Sequence, residues 1–574
     1  MKIGGAITGI IRMMRANVHR LVIVAAVSLA CYFALIPLGL LLWSSFQKAG
    51  RLGQSSGFTF SNYLTAYANP QTLPWLGNSV IFAVGASLLS FFLGTTLAWI
   101  NERTDTPFKS FFFALSLVPL IIPGILFAVA WIFLLSPEIG MINHILMSSL
   151  GLKQPVFNVY SMGGMIWIAG LHLAPMAFML MSASFKNMDP TLEEASFAAG
   201  AGLLATTYHV TLKLSRPALL SILLITFVLG IESFEIPALI GIPAGIPVFT
   251  TLIYQSLRTY PINFGLANVF AVTLLIITSS AIYLNNRLTR DTGRFSTITG
   301  KAFRPRVIKL GPWKYLTGLF FLSYALVIVI LPLFVLIWAS LHEFYVPPSW
   351  QSLKEITLNN YRYLAGYPLA LRAAQNSLFL GVASATAVMA LTALLAWVVV
   401  RGKSRFRWLI DNITFLPLVF PGIVLGVALM LVYLTLPIPI YGTIWILLVA
   451  YMTRYMPYGM RYSIASMIQI NKELEECALV CGGTKGSTFR KIVLPLLMPG
   501  LLGGWTYIIT VSIRELASSI LLYSPGNEVL AVTIWNLWEN GQAVVLSALG
   551  VILIAVLLVV AFFSERLSRR MGIA

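Results

Sequence analysis

The stretch Pro119-Leu-Ile-Ile-Pro-Gly-Ile125 recurs 298 residues later as Pro417-Leu-Val-Phe-Pro-Gly-Ile423. Three further patches repeat at the same offset, namely Asn62-Tyr63 with Asn360-Tyr361, Asn78-Ser79 with Asn376-Ser377, and Ala98-Trp99 with Ala396-Trp397. Further along, the offset falls to 282, so that Pro175 matches Pro457, because the loop at 137–160 is longer than its counterpart at 436–442. One offset shared by four separate patches indicates a duplicated unit, which decides the architecture.

The composition identifies the kind of unit that is duplicated. Of 574 residues, 58% are hydrophobic and only 10% are charged, and the mean hydropathy is +0.86. This excludes a chain of soluble domains and indicates a multi-pass membrane protein in a lipid bilayer. The net charge of +19 does not indicate a nucleic-acid partner, because the basic residues lie in short segments between apolar runs.

Apolar stretches long enough to cross a bilayer as helices recur along the chain. The charge-free ones are 21–46, 79–100, 111–137, 161–185, 264–284, 315–341, 373–400 and 543–563. A further stretch, 412–453, is too long for one span and divides in two at Pro437-Ile-Pro-Ile-Tyr-Gly442, and two charged spans are expected near 217–240 and 498–523. The fold class is therefore an all-α polytopic membrane protein with about twelve spans in two six-helix repeats.

Six is an even number, so both repeats start and end on the same side and run parallel. Most Lys and Arg residues then fall on one side if both termini are cytoplasmic. The first span is too long for the core of a cleaved signal peptide. The expected divisions are an arm, first span and periplasmic loop at 1–73, a first core at 74–286, a basic cytoplasmic linker at 287–314, a seventh span and periplasmic loop at 315–371, a second core at 372–566 and a cytoplasmic tail at 567–574.

Two matching segments follow the fourth span of each half. They read Asp189-Pro-Thr-Leu-Glu-Glu-Ala-Ser-Phe-Ala-Ala-Gly200 and Asn471-Lys-Glu-Leu-Glu-Glu-Cys-Ala-Leu-Val-Cys-Gly482. Asp189 and Asn471 suit an N-cap, the acids suit a first helical turn, and glycine suits the helix end. A short helix with small residues can lie in a groove of a soluble partner, and two such helices indicate a two-fold partner. The alternative is an interfacial helix that only caps the bundle.

The pattern Glu-Ala-Ala, three residues, Gly, nine residues, Ile-x-Leu-Pro resembles the coupling motif of permease subunits of bacterial binding-protein-dependent ABC importers. In the second copy the matching residues are Glu476, Ala478, Gly482, Ile492, Leu494 and Pro495. The first copy keeps Glu194, Ala195 and Gly200, but has Ser196 for the second Ala and Lys213 for the Pro. The two motifs therefore need not contact a partner in the same way.

The resemblance extends along both halves and is greatest to fused twelve-span permeases of ferric iron importers. Shared stretches are Glu232-Ser-Phe-Glu-Ile-Pro-Ala-Leu-Ile-Gly241, Arg514-Glu515-Leu516 and Thr533-Ile-Trp535. It implies a type I ABC importer permease fold in the bacterial inner membrane, two copies of a separate ABC ATPase, and a periplasmic solute-binding protein. Permeases for thiamine, polyamines and aminoalkylphosphonates are similar at this level, so the solute stays open.

The residues also indicate which chemistry to exclude. The chain has no Gly-x-x-x-x-Gly-Lys-Ser/Thr phosphate loop, so ATP binding through that motif is not expected. No clustered nucleophile, base or metal-binding set is evident, the five His are scattered, and three cysteines do not make a disulfide framework. We therefore expect no catalytic residues, metal site or cofactor. An ion-coupled secondary transporter and a membrane-embedded enzyme are the competing classes.

Four charged residues fall inside predicted spans and are candidates for the translocation path. Glu232 and Glu235 lie in the fifth span, and Arg514 and Glu515 occupy the matching part of the eleventh. Ionisable groups at membrane depth are usually functional, although an internal Glu-Arg pair that only fixes packing is the alternative.

Other polar, aromatic and kink-forming residues have simpler interpretations. His172 and Arg454 occupy matching spans and are interpreted as structural. The recurrence of the Pro-Gly pair fits a kink in each half that could act as a hinge, and ordinary helix packing is the alternative. Trp99 and Trp397 are interpreted as interfacial anchors. The loops 47–77 and 342–372 are expected to face the binding protein.

Overall fold

The computed structural model describes residues 2–48, 57–189, 191–289, 307–402 and 406–570, in which the secondary structure consists almost entirely of helices joined by loops. Side chains are not described for 2–20, 289, 564–565 and 567–570. Most of the predicted basic linker, the tail end at 571–574 and Pro190 lie outside the described residues. Among the described residues the extended pairings are two isolated bridges, Gln47 with Phe58 and Thr104 with Ile308.

The helices of the first half are Lys2–Ser45 (α1), Ser61–Ala68 (α2), Thr72–Arg103 (α3), Lys109–Leu117 (α4), Gly124–Leu135 (α5), Met141–Leu150 (α6), Met162–Lys186 (α7), Thr191–Ala198 (α8), Leu203–Thr206 (α9), Leu212–Leu214 (α10), Arg216–Glu232 (α11), Phe249–Arg258 (α12) and Phe264–Thr289 (α13). Those of the second half are Trp313–Ala325 (α14), Leu331–Ser340 (α15), Asn359–Ala365 (α16), Pro368–Arg401 (α17), Arg407–Phe415 (α18), Gly422–Thr435 (α19), Ile444–Gln469 (α20), Glu473–Val480 (α21), Lys485–Thr488 (α22), Leu494–Ile513 (α23), Ser519–Leu522 (α24), Leu530–Glu539 (α25) and Ala543–Arg570 (α26). Short 3₁₀ or π segments are Val118–Leu120, Thr207–Thr211, Pro237–Gly241, Leu326–Ile330, Ser352–Glu355, Leu416–Val419 and Phe489–Val493.

The described helices agree closely with the predicted spans. Eight are long and apolar enough to cross a membrane, and the number rises to eleven if each of three sharply bent pairs is one span. The remaining predicted span, the tenth, corresponds to α20, which has 26 residues but carries Arg454 and Arg461. The charged fifth and eleventh spans end earlier than predicted, since α11 stops at Glu232 and α23 at Ile513.

The repeated Pro-Gly pairs produce real breaks, which confirms the predicted kinks. The axis turns by 99° between Leu120 and Gly124 and by 107° between Val419 and Gly422. Proline lacks the N–H that would continue the helical hydrogen bonds, so the helix stops before it and a new one begins at glycine. The predicted spans 111–137 and 412–436 are therefore broken segments and not straight helices.

The asparagine of the repeated Asn-Tyr patch makes the same hydrogen bonds in both halves. Asn62 Nδ2 donates to the carbonyls of Ser45 (3.0 Å) and Gln47 (2.7 Å), at the end of α1. Asn360 Nδ2 donates to the carbonyls of Ser340 (2.9 Å) and His342 (2.7 Å), at the end of α15. Each asparagine thus satisfies carbonyls that a helix end leaves without partners.

The Asn-Ser pair fixes the start of a later helix. Ser79 Oγ accepts a hydrogen bond from the N–H of Phe249 (2.9 Å), the first residue of α12. Ser377 Oγ accepts one from Leu530 N–H (2.8 Å), the first residue of α25. A side-chain oxygen at a helix N-terminus satisfies a donor that the helix itself cannot.

The chain forms two compact units, each combining segments from both halves. One unit takes the described parts of Met1–Asn62, Tyr367–Thr533 and Ala555–Ala574. In this unit the apolar face of α1, with buried Ala30 and Phe33, packs on α17 and α20 at Leu395 and Met456. The first span therefore belongs with the second core, which the sequence did not predict.

The second unit takes the described parts of Tyr63–Gly366 and Ile534–Ile554. Here the seventh span packs on the first core, because Phe321 of α14 stacks on Phe112 of α4 with ring centroids 4.9 Å apart. Beyond α15, Tyr345 stacks on Phe133 at 4.3 Å and donates its hydroxyl to the Phe133 carbonyl at 2.9 Å. Each core thus includes the leading span of the other repeat.

Candidate functional site

The two motif segments form short helices, α8 and α21, as predicted, but α21 begins at Glu473 with Lys472 at its N-cap, so Asn471, the predicted N-cap, lies one residue before the observed N-cap position. Asp189 Oδ1 accepts a hydrogen bond from Thr191 N–H (2.9 Å), and Asn471 Oδ1 accepts one from Glu473 N–H (3.2 Å). Past the helix ends, Gly200 and Gly482 have φ of +86° and +85°. No atom of the described residues lies within 4 Å of a Cβ placed at either glycine, so the left-handed backbone explains why glycine stands there.

The predicted coupling residues lie mostly on the exposed side of these helices. Glu194 and Ala195 of α8 are exposed, as are Glu476 of α21 and Pro495 beyond it, whereas Ala478 is half-buried. Glu476 contacts Lys472 one turn earlier, and its side chain remains 55% exposed. Each short helix therefore presents a glutamate and small residues on its outer side.

The glutamate before each motif glutamate points the opposite way, and its contacts are not evident from the sequence. Glu193 and Glu475 are only 4% and 7% exposed. Successive residues of an α-helix are about 100° apart around its axis. One of two adjacent glutamates can therefore face solvent while the other is buried beneath the helix.

In the first copy, the buried glutamate binds the last residue of α3. Glu193 Oε2 lies 3.2 Å from Arg103 Nη1, and Glu193 Oε1 accepts a hydrogen bond of 2.6 Å from the Thr211 hydroxyl. Arg103 is fully buried. Its Nε and Nη2 have no acceptor among the described residues. Because both charges are buried, removal of either partner would leave the other charge unpaired and would destabilise the structure strongly.

In the second copy, the last residue of α17 makes the matching contact. Arg401 Nε lies 2.6 Å from Glu475 Oε1, and Arg401 Nη2 donates to the Ile470 carbonyl at 2.5 Å. Trp397 Nε1 donates to the other carboxylate oxygen at 2.9 Å. Trp397 is therefore buried against α21 and is not a lipid-facing anchor, which corrects the interpretation from sequence.

The repeat itself contained the signal for these pairs. Arg103 and Arg401 are 298 residues apart, and Glu193 and Glu475 are 282 apart, which are the two offsets of the duplication. The sequence could not join them, because each pair spans more than 70 residues of intervening chain.

The substitutions in the first motif also have structural consequences. Ser196, which replaces the second Ala, shares a 2.9 Å hydrogen bond with the Thr206 hydroxyl and so links α8 to α9. Lys213 is exposed and stands where the second copy has Pro495. Nearby, the chain bends by 68° between Leu214 and Arg216, whereas the matching segment from Lys485 to Ile513 is one continuous span.

Two of the predicted path residues flank a break in the second unit described above. Glu232 ends α11, and Glu235 follows two non-helical residues later, both half-buried. The Glu235 carboxylate packs directly against Gly124, and His172 Nε2 lies 3.7 Å from where a Cβ of Gly124 would be. The Pro-Gly break in this unit is therefore packed against ionisable groups.

The other unit has a comparable cluster with different residues. Glu515 Oε2 lies 2.9 Å from Arg454 Nε and accepts a hydrogen bond of 2.9 Å from the Tyr455 hydroxyl. Glu515 Oε1 accepts from the N–H and the hydroxyl of Ser518, each at 3.0 Å. Arg454 also packs against Gly422, so its predicted structural role is supported by these contacts. Arg514 is half-buried at the end of α23.

Comparison with known proteins agrees with this architecture. Residues 86–286 and 389–573 match the family described as binding-protein-dependent transport system inner membrane component. The two matches together cover more than half of the chain, which therefore belongs to this family and contains the domain twice. It is a multi-pass inner-membrane permease of the ABC importer class, and members of the class are not themselves enzymes.

Three relatives show which members the chain resembles. It is 27% identical over 497 residues to the ferric transport system permease protein FbpB of Actinobacillus pleuropneumoniae, covering 85% of this chain and 70% of the relative. It is 28% identical over 419 residues to a putative ferric transport system permease protein of Haemophilus influenzae, covering 72% and 63%. It is also 27% identical over 239 residues to the spermidine/putrescine permease protein PotC of Escherichia coli, covering 42% and 89%.

Proposed function

We propose that this chain provides the membrane path of an ATP-driven importer that takes up ferric iron. A periplasmic binding protein delivers the solute, and two copies of a separate ATPase dock on the cytoplasmic side at α8 and α21. The observation that carries the proposal is the pair of short helices, which expose a glutamate and small residues in both halves. Closure of a two-fold partner can then shift the permease between two states.

The solute assignment is supported by relatives that align over most of this chain, although the alignments span only 70% and 63% of the two ferric permeases. The two ferric permeases align over most of this chain, whereas the polyamine permease aligns over less than half. Within the described residues, no three His, Cys, Asp or Glu side chains are placed to hold a metal ion. We propose that iron crosses through a path lined by Glu232, Glu235 and Arg514, with selectivity residing largely in the binding protein. Glu515, which has four donors of its own unit, fits the packing role better.

Uptake of radiolabelled ferric iron by cells that express this chain with its genomic partners tests the proposal. We expect accumulation in the unmodified strain and loss of it in Glu476→Arg and Glu194→Arg, at equal membrane levels of each protein. If both variants take up iron at the normal rate, the docking assignment is wrong.

A polyamine is the second candidate solute, because of the similarity to the spermidine/putrescine permease. The same cells incubated with radiolabelled spermidine distinguish the two. Spermidine uptake that depends on Glu476, without iron uptake, would identify a polyamine instead of iron as the solute, and the proposal of an ATP-driven importer would still hold.

A further inference from the structure

The adjacent glutamates of each motif differ in environment, and the difference is the same in both copies. Glu194 and Glu476 are exposed, whereas Glu193 and Glu475 are buried and ion-paired. A residue beneath the helix cannot contact a docked protein. Any effect of such a buried residue on coupling must therefore act through the group to which it is bound.

The bound group is a helix end in both units. Arg103 is the last residue of α3, and Arg401 is the last residue of α17, helices of 32 and 34 residues. Each buried carboxylate also receives a second donor, from Thr211 in one copy and Trp397 in the other. Charge-assisted hydrogen bonds at two oxygens hold a carboxylate in one orientation, so the short helix and the long helix move together.

The long helices are placed to pass on such a movement. Within its own unit, α3 packs along α7 and α11, and α17 packs along α20 and α23. Of these, α11 and α23 end at Glu232 and beside Arg514, the residues proposed for the path. A displacement of either short helix would therefore reach the helices that carry the path residues of the same unit.

We infer that the two adjacent glutamates at the start of each short helix have different roles in coupling. The exposed glutamates, Glu194 and Glu476, dock the ATPase. The buried glutamates, Glu193 and Glu475, are positioning residues that transmit the movement of the ATPase through Arg103 and Arg401. This inference rests on the proposed function, because it needs the ATPase to dock at α8 and α21.

The ion pairs Arg103–Glu193 and Arg401–Glu475 differ in the number of hydrogen bonds that each arginine makes. Arg401 uses Nε and Nη2 at the same time, which requires the fixed fork of a guanidinium. Arg103 contacts Glu193 through Nη1 alone. Lysine supplies a single point of charge, so Arg401→Lys should impair coupling more than Arg103→Lys.

The test uses the chain reconstituted in proteoliposomes with its ATPase and binding protein. Glu475→Gln should bind the ATPase as tightly as the unmodified chain, while the ferric iron transported per ATP hydrolysed falls at least about fivefold, the lower end of typical coupling energies. Glu476→Gln, the matched control one residue away, should instead lower the affinity for the ATPase. Exchange of the charges, Arg401→Glu with Glu475→Arg, should restore part of the iron transported per ATP hydrolysed.

A second measurement does not depend on the solute. Spin labels on Cys481 and on Leu378→Cys, with Cys31 and Cys477 replaced by Ser, report the distance between α21 and the far part of α17. This distance should stay constant when ATP is added to the complex of the otherwise unmodified chain, and it should shift in Glu475→Gln. If Glu475→Gln does not fold, Trp397→Phe removes one donor and should give a smaller shift.

The possible results separate the two proposals. Equal loss of ATPase affinity in Glu475→Gln and Glu476→Gln would refute the division of roles and leave docking intact. A label distance that responds to ATP identically with and without the Glu475 charge would refute the rigid link. An unmodified chain that binds no ATPase would refute the proposed function itself.

Discussion

The Nε atom of Arg454 lies 2.9 Å from Oε2 of Glu515, which joins α20 to the segment that follows α23. Glu515 is 7% exposed, so its charge depends on this partner and on the hydroxyl of Tyr455. The half-buried arginine also packs against Gly422, the first residue after the Pro-Gly break. One ion pair thus holds three segments of the unit together.

Removal of Arg454 should destabilise this unit strongly. Arg454→Leu leaves the buried Glu515 carboxylate without its cation, which typically costs about 3–5 kcal/mol. The double variant Arg454→Leu with Glu515→Leu should recover much of that loss, because no buried charge is then left alone. Unfolding of the purified protein in bicelles measures both. A single variant as stable as the unmodified protein would show that the pair does not fix this packing.

The glycines after the two breaks should not tolerate a methyl group. A Cβ at residue 422 would lie 2.6 Å from Arg454 Nη1 and 2.7 Å from Ala517 Cβ, and one at residue 124 would meet the Glu235 carboxylate. We expect Gly422→Ala to lose about 1–3 kcal/mol through overpacking, and Gly124→Ala to lose less, because the Glu235 carboxylate is the end of a flexible side chain that can move aside. Gly77→Ala, in α3, is the matched control, since no atom lies within 4 Å of its Cβ and alanine should be neutral or stabilising. Equal effects at all three positions would contradict the packing argument.

Asn62 and Asn360 should be important for stability although neither lies in a span. Each donates to two carbonyls at a helix end, and Asn360 is 7% exposed. Substitution by alanine should cost about 1–3 kcal/mol, because acceptors are left unsatisfied. Asn359→Ala is the control, since the side chain of that exposed neighbour bonds only to the Glu343 side chain among the described contacts. Thermal unfolding that ranks Asn359→Ala with Asn360→Ala would refute this assignment.

Cys477 of α21 provides a direct probe of docking. Cys477 and Cys481 are exposed, whereas Cys31 is half-buried in the first span. In a Cys481→Ser variant, maleimide should therefore modify Cys477 of the purified permease rapidly, and addition of the ATPase should slow that reaction. Labelling of Cys31 should not respond to the ATPase. Unchanged labelling of α21 in a complex shown to contain the ATPase would place the docking surface elsewhere.

Much of the architecture could be predicted from the sequence, because it depends on local composition and on the duplication. Apolar length predicts spans, since a helix alone satisfies its backbone in lipid. Pro123-Gly124 and Pro421-Gly422 predicted breaks because proline cannot continue a helix. Asp189 and Gly200 predicted the ends of α8 for equally local reasons. The family assignment followed from the repeated motif and was confirmed by the family match.

Only the tertiary structure decided which distant residues meet. Glu193 and Glu194 are adjacent acids of one predicted helical turn, and nothing local shows that the first is buried against Arg103 and the second is exposed. Likewise, no pattern in α1 reveals that it packs on the second core. Helix formation is governed by neighbours in the chain, whereas burial and ion pairing depend on how helices far apart in sequence pack, and an apolar face alone does not specify its partner.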